Sequence, residues 1–219
     1  MPKVKRINFN KQNIKAIALD FDGVIVDSQD LHLKAWIETL KKYRNNFKVS
    51  LRDITGLSVS EFIQRLNIPP EEGVKMAETK RKYVVQLARI HPPPLYTNVI
   101  ETLQILSNYY KLALVTSCET DLVHFVLEYY NLKKLFGVLI LEGDYNRPKP
   151  DPEPYLECLK RLGLDAKSVI AIEDSPTGIK SAKKAGLFTI AISTTFNRTQ
   201  LFEADIIITN FKELLCLIP

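Results

Sequence analysis

The sequence predicts a doubly wound α/β fold: a parallel sheet with helices on both faces, carrying an inserted helical domain. Three observations carry this expectation. Short apolar runs alternate with stretches of helical length along most of the chain. Several of those runs are apolar nearly throughout, as in strands covered on both faces. One segment, 31–95, shows helical patterning with no convincing buried strand.

In chain order the strand candidates are "AIALD" (16–20), "LALVTS" (112–117), "VLILE" (138–142), "VIAIED" (169–174), "TIAIS" (189–193) and "DIIIT" (205–209). Helix-length stretches such as 120–130, 152–162 and 177–185 lie between them, divided by short Gly, Asn or Pro punctuation. Within 31–95, "LHLKAWIETLKKY" and "AETKRKYVVQLARI" have the apolar spacing of amphipathic helices. Placed directly after the first strand, this segment reads as a small helical domain over the sheet. "HPPPLY" (91–96) is then a stiff return connection, because each Pro restricts its own backbone and that of the residue before it. The expected division is a core of 1–30 and 96–219 and a helical insert of 31–95.

The totals agree with a soluble globular chain: 219 residues, 46% hydrophobic and 25% charged. A core of that size needs neither disulfides nor a structural metal. The net charge of +5 comes from Lys3, Lys5, Arg6, Lys11 and Lys15, with no acid among residues 1–15. Removing those five leaves 25 bases against 25 acids, so the balance argues for a solvated basic arm and against a nucleic-acid partner. The arm lacks the apolar core of a signal peptide, and no apolar stretch approaches the roughly 20 residues that span a bilayer. Cys118, Cys158 and Cys216 are far apart and without metal-ligand spacing, which suits free thiols in a reducing cytoplasm. Nothing in the chain requires more than a monomer.

Ligands of an open parallel sheet collect at the carboxyl ends of its strands. Asp20 and Asp22 fall at the end of the first candidate strand, Thr116 and Ser117 at the end of another, and Glu173 and Asp174 at the end of a third. Lys149 lies in the loop "RPKPDP" that follows "VLILEGD". A cluster of acids without compensation repels itself and raises its own pKa values. A hard divalent cation with oxygen ligands removes the conflict, and Mg²⁺ suits it. The metal, an amine and small hydroxyls together make a receptacle for a phosphate group. One carboxylate at that point can attack phosphorus, splitting a hard hydrolysis into two easier steps through an aspartyl-phosphate. Each piece alone has another reading. A D-x-D pair also occurs in metal-dependent glycosyltransferases, "EDSPTG" can be a helix N-cap, and Lys149, Thr116 and Ser117 can be surface, cap or turn residues. Their occurrence in order, each just after a strand candidate, favours the joint reading.

With these motifs the sequence resembles the haloacid dehalogenase-like superfamily, in the branch of β-phosphoglucomutase-like and phosphoglycolate phosphatase-like proteins. "DFDGVIVDS", "LALVTSC", "KPDP" and "EDSPTGI" match its four motifs in order, and the resemblance runs from about residue 14 to nearly the end. It implies Asp20 as the nucleophile and Asp22 as general acid and then base. It implies Thr116 and Lys149 as ligands of the transferring phosphoryl group, with help from Ser117 and from backbone N–H groups around Phe21 to Gly23. Mg²⁺ would be held by Asp174, with Glu173 near it, by Asp20, and by the backbone carbonyl of Asp22. The insert would be a helical cap that excludes water and chooses the substrate. His32, at the joint into that cap, matches a His of the mutase-like members; packing at the domain joint is its alternative role.

Departures from the pattern bear on the substrate. "GLSVS" has Val59 where many mutase-like members carry Arg, and "YVV" has Val85 where a cap lysine is expected. Both missing groups would grip a second phosphate, and a bidentate Arg is hard to replace there. "LYTNV" stands where Pro-Gly often follows the cap. Lys80, Arg81 and Lys82 could supply cap charge instead, but a solvated helix face is the favoured account of them. The resulting expectation is a Mg²⁺-dependent hydrolase of a small phosphorylated metabolite, such as phosphoglycolate, a sugar phosphate or a nucleoside monophosphate. The alternatives are a sugar phosphomutase and a phosphate-binding or regulatory protein without turnover. The carboxylates suit phosphorus rather than a halide leaving group.

Overall fold

Six short runs pair side by side in a sheet whose order is β3-β2-β1-β4-β5-β6, every neighbouring pair being parallel. The structure, a computed structural model, describes residues 13–43 and 48–218. The strands are β1 (Ala16–Leu19), β2 (Lys111–Val115), β3 (Phe136–Ile140), β4 (Val169–Glu173), β5 (Phe188–Ile192) and β6 (Ile206–Ile208). All six candidate strands are present, with ends moved by one to a few residues. The movement has a reason at β2: Thr116 and Ser117 leave the regular ladder, which places their hydroxyls in the loop beyond the sheet.

Alternation along β1 explains the layers. Ala16 and Ala18 face one side, with Tyr155, Cys158 and Leu162 of helix α7 (Glu153–Leu162) and Ala182 of helix α8 (Pro176–Lys184). Ile17 and Leu19 face the other, with Leu103 and Leu106 of α5 (Val99–Ser107) and Leu122 and Val126 of α6 (Thr120–Tyr129). Ala18 lies in register with Ala113 and Ala171, so a row of small side chains crosses the centre of the sheet. Both faces are therefore covered, which is why the strands read as unbroken apolar runs. The chain closes with α9 (Leu214–Leu217), whose Leu214 joins the second layer.

Between β1 and α5 lie α1 (Gln29–Tyr43), α2 (Leu51–Ile54), α3 (Val59–Arg65) and α4 (Pro70–Ile90). They have a hydrophobic cluster of their own, built on Trp36, Leu40, Phe62, Ile63, Ile68 and Met76, with the Trp36 and Phe62 rings edge to face at 4.6 Å. Local signals start two of the helices. Ser58 and Glu61 form a reciprocal capping box at α3, and Pro70 occupies the first turn of α4. The near ends of α1 and α4 rest on the main core through Leu31, Ala35, Val84 and Ala88. Outgoing and returning chain run side by side, the Asp27 N–H donating to Pro94 O (2.9 Å) and the Tyr96 N–H to Ile25 O (3.1 Å). Among the described residues no helix is long and apolar enough to cross a membrane.

Candidate active site

β1 sits at the centre of the sheet with β2 on one side and β4 on the other, so three adjacent strand ends open onto one crevice. Asp20 follows β1, Thr116 follows β2, Glu173 ends β4 and Asp174 follows it. Lys149 reaches the same point from the loop after β3. Its three N–H groups have three acceptors: Val115 O at 2.8 Å, Glu173 Oε1 at 2.8 Å and Asp20 Oδ1 at 3.1 Å. Burial alone would lower the Lys149 pKa, but Asp20 and Glu173 outweigh it and raise it above the usual lysine value. The ammonium stays charged and fixed between two carboxylates. The alternative reading of Lys149 as a surface lysine is excluded, since its side chain is 7% exposed.

Asp20 is buried, and its Oδ1 also accepts the Phe21 N–H at 2.8 Å. Burial and the neighbouring Glu173 push its carboxyl well above the usual carboxylate range, against the pull of Lys149. Asp174 is pushed up to about 7, by burial and then by Glu173, with a hydrogen bond from Thr195 opposing. Asp20, Glu173 and Asp174 each offer a carboxylate oxygen within 4.8 Å of the others. An all-oxygen donor set with excess negative charge fits a hard cation such as Mg²⁺, which would relieve the repulsion. Within this set Glu173 has a second task. Its Oε1 takes hydrogen bonds from Lys149 and from the Tyr155 hydroxyl (2.6 Å), and its Oε2 lies against Gly178.

The turn after β1 sets the second aspartate. Gly23 has φ +75, its N–H donates to Val26 O at 2.9 Å, and its carbonyl accepts the Thr194 hydroxyl at 2.5 Å. This turn presents Asp22 toward Ser28 and His32. Burial pushes the Asp22 carboxyl up, but hydrogen bonds from His32 and Ser28 outweigh it and hold it down at about 2. His32 Nε2 lies 3.5 Å from Asp22 Oδ1, and Lys80 Nζ lies 2.9 Å from His32 Nδ1. An ammonium can only donate, so Nδ1 accepts and the ring proton stands on Nε2, toward Asp22.

Lys80 corrects a sequence expectation. Arg81 and Lys82 are exposed as expected of a solvated helix face, but Lys80 is 3% exposed and ion-paired with Glu119, the residue preceding α6. The helical pattern of α4 did place Lys80 with Met76 and Val84, both buried, and that spacing was the available signal. Thr116 is buried, and its Oγ1 accepts the Cys118 N–H at 3.0 Å. Ser117 is exposed beside it, and the Tyr145 hydroxyl holds this loop through Thr116 O (3.0 Å) and Ser117 Oγ (3.2 Å). Sequence reasoning missed Tyr145, Tyr155, Thr194, Thr195 and Glu119, and of its two readings of Lys80 it favoured the wrong one. For the two threonines a signal existed, because "STT" follows the β5 run as Thr116–Ser117 follows β2.

Comparison with known proteins finds relatives over most of the chain. The family model described as Haloacid dehalogenase-like hydrolase matches residues 17–192. Validoxylamine A 7'-phosphate phosphatase of Streptomyces hygroscopicus subsp. limoneus is 28% identical over 204 residues, covering 91% of this chain and 95% of that protein. Phosphoglycolate phosphatase of Salmonella typhi is 30% identical, covering 93% of this chain and 92% of its own. The solved structure of β-phosphoglucomutase from Clostridium difficile superposes with a TM-score of 0.79 at 25% identity, over 92% of this chain and 93% of that one. The match of the family model begins on β1 and ends on β5, the span that brings the acids and Lys149 to one crevice, and the chain belongs to the haloacid dehalogenase-like hydrolases.

Proposed function

We propose that this protein is a Mg²⁺-dependent phosphatase that hydrolyses a small phosphorylated metabolite, of the phosphoglycolate or sugar phosphate type, through a phosphorylated Asp20. The observation that carries the reading is Lys149 Nζ, held 3.1 Å from Asp20 Oδ1 at the mouth of three strand ends. A carboxylate so placed is a nucleophile whose orientation is set before substrate arrives.

In the first step an Asp20 oxygen attacks phosphorus, the bond to the ester oxygen breaks, and Asp22 gives its proton to the departing alcohol. Asp22 rests as a carboxylate at neutral pH; arrival of a phosphate dianion beside it raises its pKa and lets it take up that proton from solvent before the step. In the second step water attacks the phosphorus of the acyl phosphate, Asp22 takes the water proton, and Asp20 leaves as carboxylate with inorganic phosphate. Thr116 and Lys149 bind the phosphoryl oxygens through both steps, and Ser117 lines the approach. The Phe21 and Gly23 amides, expected on the phosphate, are instead engaged by Asp20 Oδ1 and Val26 O and shape the turn that carries Asp22. Asp20, Asp174, the Asp22 carbonyl and neighbouring Glu173 would hold Mg²⁺, which when bound supplies charge neutralisation for the carboxylates and the phosphoryl group. The helical insert of 31–95, which holds α2, α3, α4 and all of α1 but its first two residues, acts as the cap that excludes water and selects the substrate.

The test is release of phosphate from a panel of small phosphate esters with Mg²⁺, alongside EDTA-treated enzyme and Asp20→Asn. Release that needs both the metal and Asp20 is expected. Isomerisation of β-glucose 1-phosphate with a bisphosphate primer, with little release, would replace hydrolysis by phosphomutase chemistry. Absence of both activities would leave a phosphate-binding protein.

A further inference from the structure

The insert faces the crevice with a cation that the core has already neutralised. Lys80 on α4 and Glu119 before α6 form an ion pair between side chains 4% and 9% exposed. Among the described residues Lys80 also contacts His32 Nδ1. One residue along, Arg81 pairs with Glu142 of the core. Lys149, the other buried ammonium of the site, is saturated by Val115, Glu173 and Asp20. Val59 and Val85 occupy the positions where basic groups were expected. Outward from Glu119, a cleft of about 740 Å³ runs between α4 and the core loops. Its walls carry Arg81, Lys82 and Arg89 against four acids, Glu119 and Glu142 among them.

A phosphoryl group entering at Asp20 has Lys149, Thr116 and the metal to receive it. A second anionic group on the same substrate would meet Glu119 and find Lys80 engaged. Breaking a buried ion pair to free its lysine leaves a carboxylate uncompensated, which is far costlier than turning a surface lysine.

Resting on the phosphatase reading, we propose that the substrate is a phosphate monoester whose non-reacting part has no second anionic group. Of the two types proposed, the sugar or polyol monophosphate fits; the phosphoglycolate type, a phosphocarboxylate, does not, nor does a bisphosphate, and Glu119 sets the selection by holding Lys80. Glu119 is a specificity determinant and touches none of the reacting atoms.

Two matched pairs read the selection: 2-hydroxyethyl phosphate against 2-phosphoglycolate, and glucose 6-phosphate against glucose 1,6-bisphosphate. In wild-type enzyme kcat/KM for the neutral member is expected to exceed that of its anionic partner at least about tenfold, or about 1.4 kcal/mol. Glu119→Gln frees Lys80, so the ratio should fall at least about fivefold through a gain on the anionic member. Lys80→Met combined with Glu119→Gln removes the freed cation and should restore the preference. Effects passed to Asp22 through His32 fall on both members of a pair and cancel in the ratio. The same ratios are measured as binding to Asp20→Asn protein with Mg²⁺, where no turnover is needed. Lack of phosphate release by the wild type would sink the hydrolase reading, while the binding ratios would still decide this one. Equal or stronger binding of the anionic members, or a ratio unmoved by Glu119→Gln, would overturn it.

Discussion

Gly23 and Asp174 approach so closely that a Cβ on Gly23 would lie 1.8 Å from Asp174 Oδ2 and 2.7 Å from Thr195 Oγ1. The glycine after the D-x-D pair is therefore required by space as well as by its φ of +75. Gly23→Ala must displace Asp174, and it also places a side chain in left-handed backbone at about 1 kcal/mol. Activity should fall by about a hundredfold or more, because misplacement by an ångström carries that scale of loss. The Mg²⁺ concentration for half activity should rise with it. Near-normal activity in Gly23→Ala would show that Asp174 does not need its present position.

Tyr155 acts on the lysine through a shared acceptor. Its hydroxyl donates to Glu173 Oε1 at 2.6 Å, the oxygen that also holds Lys149. In Tyr155→Phe the buried carboxylate loses one donor, at a cost of about 1.5–3 kcal/mol in urea denaturation. Lys149 then loses part of its alignment, so kcat should drop several-fold with KM changed less. A stability loss without any change in kcat would make Tyr155 a packing residue only.

Glu119 makes acid sensitivity measurable. Burial pushes its carboxyl up, but the Lys80 ammonium outweighs that and holds it at about 2, against an ordinary 4.5. The folded value is depressed, so the stabilisation is full above about pH 4.5 and is lost as pH falls toward 2. Linkage puts it on the order of 3 kcal/mol at neutral pH. The stability difference between wild type and Glu119→Gln should therefore be largest at pH 6–7 and shrink below about pH 4.5. Comparing denaturant midpoints of the two proteins cancels the other acids. A difference independent of pH would mean that the ion pair contributes nothing net.

Much of the fold was legible because β1, β2, β4 and β5 are covered on both faces and must be apolar throughout. The strand ends were less legible. β3 begins at Phe136, earlier than the apolar run suggests, because pairing with β2 rather than side-chain character decides where a ladder starts. The nucleophile candidate and its lysine were readable from motif order. Tyr155 was not, since a tyrosine in an amphipathic helix looks like any core residue until Glu173 is seen behind it. Lys80 was misread for the same reason. A helical pattern tells which face a residue shares, and says nothing of an acid arriving from a loop 39 positions away.

By itself the sequence determined the parallel sheet, the helical insert and the family, through periodicity and through acids that recur at strand ends. Tertiary structure alone decided that Glu173 supports Lys149 and that Glu119 neutralises Lys80. Those facts depend on which charges meet in a buried space. Hydrophobic pattern is a property of neighbours along the chain, whereas charge pairing in a crevice is a property of residues brought together from the loop after β2, α4, β4 and the loop after β3.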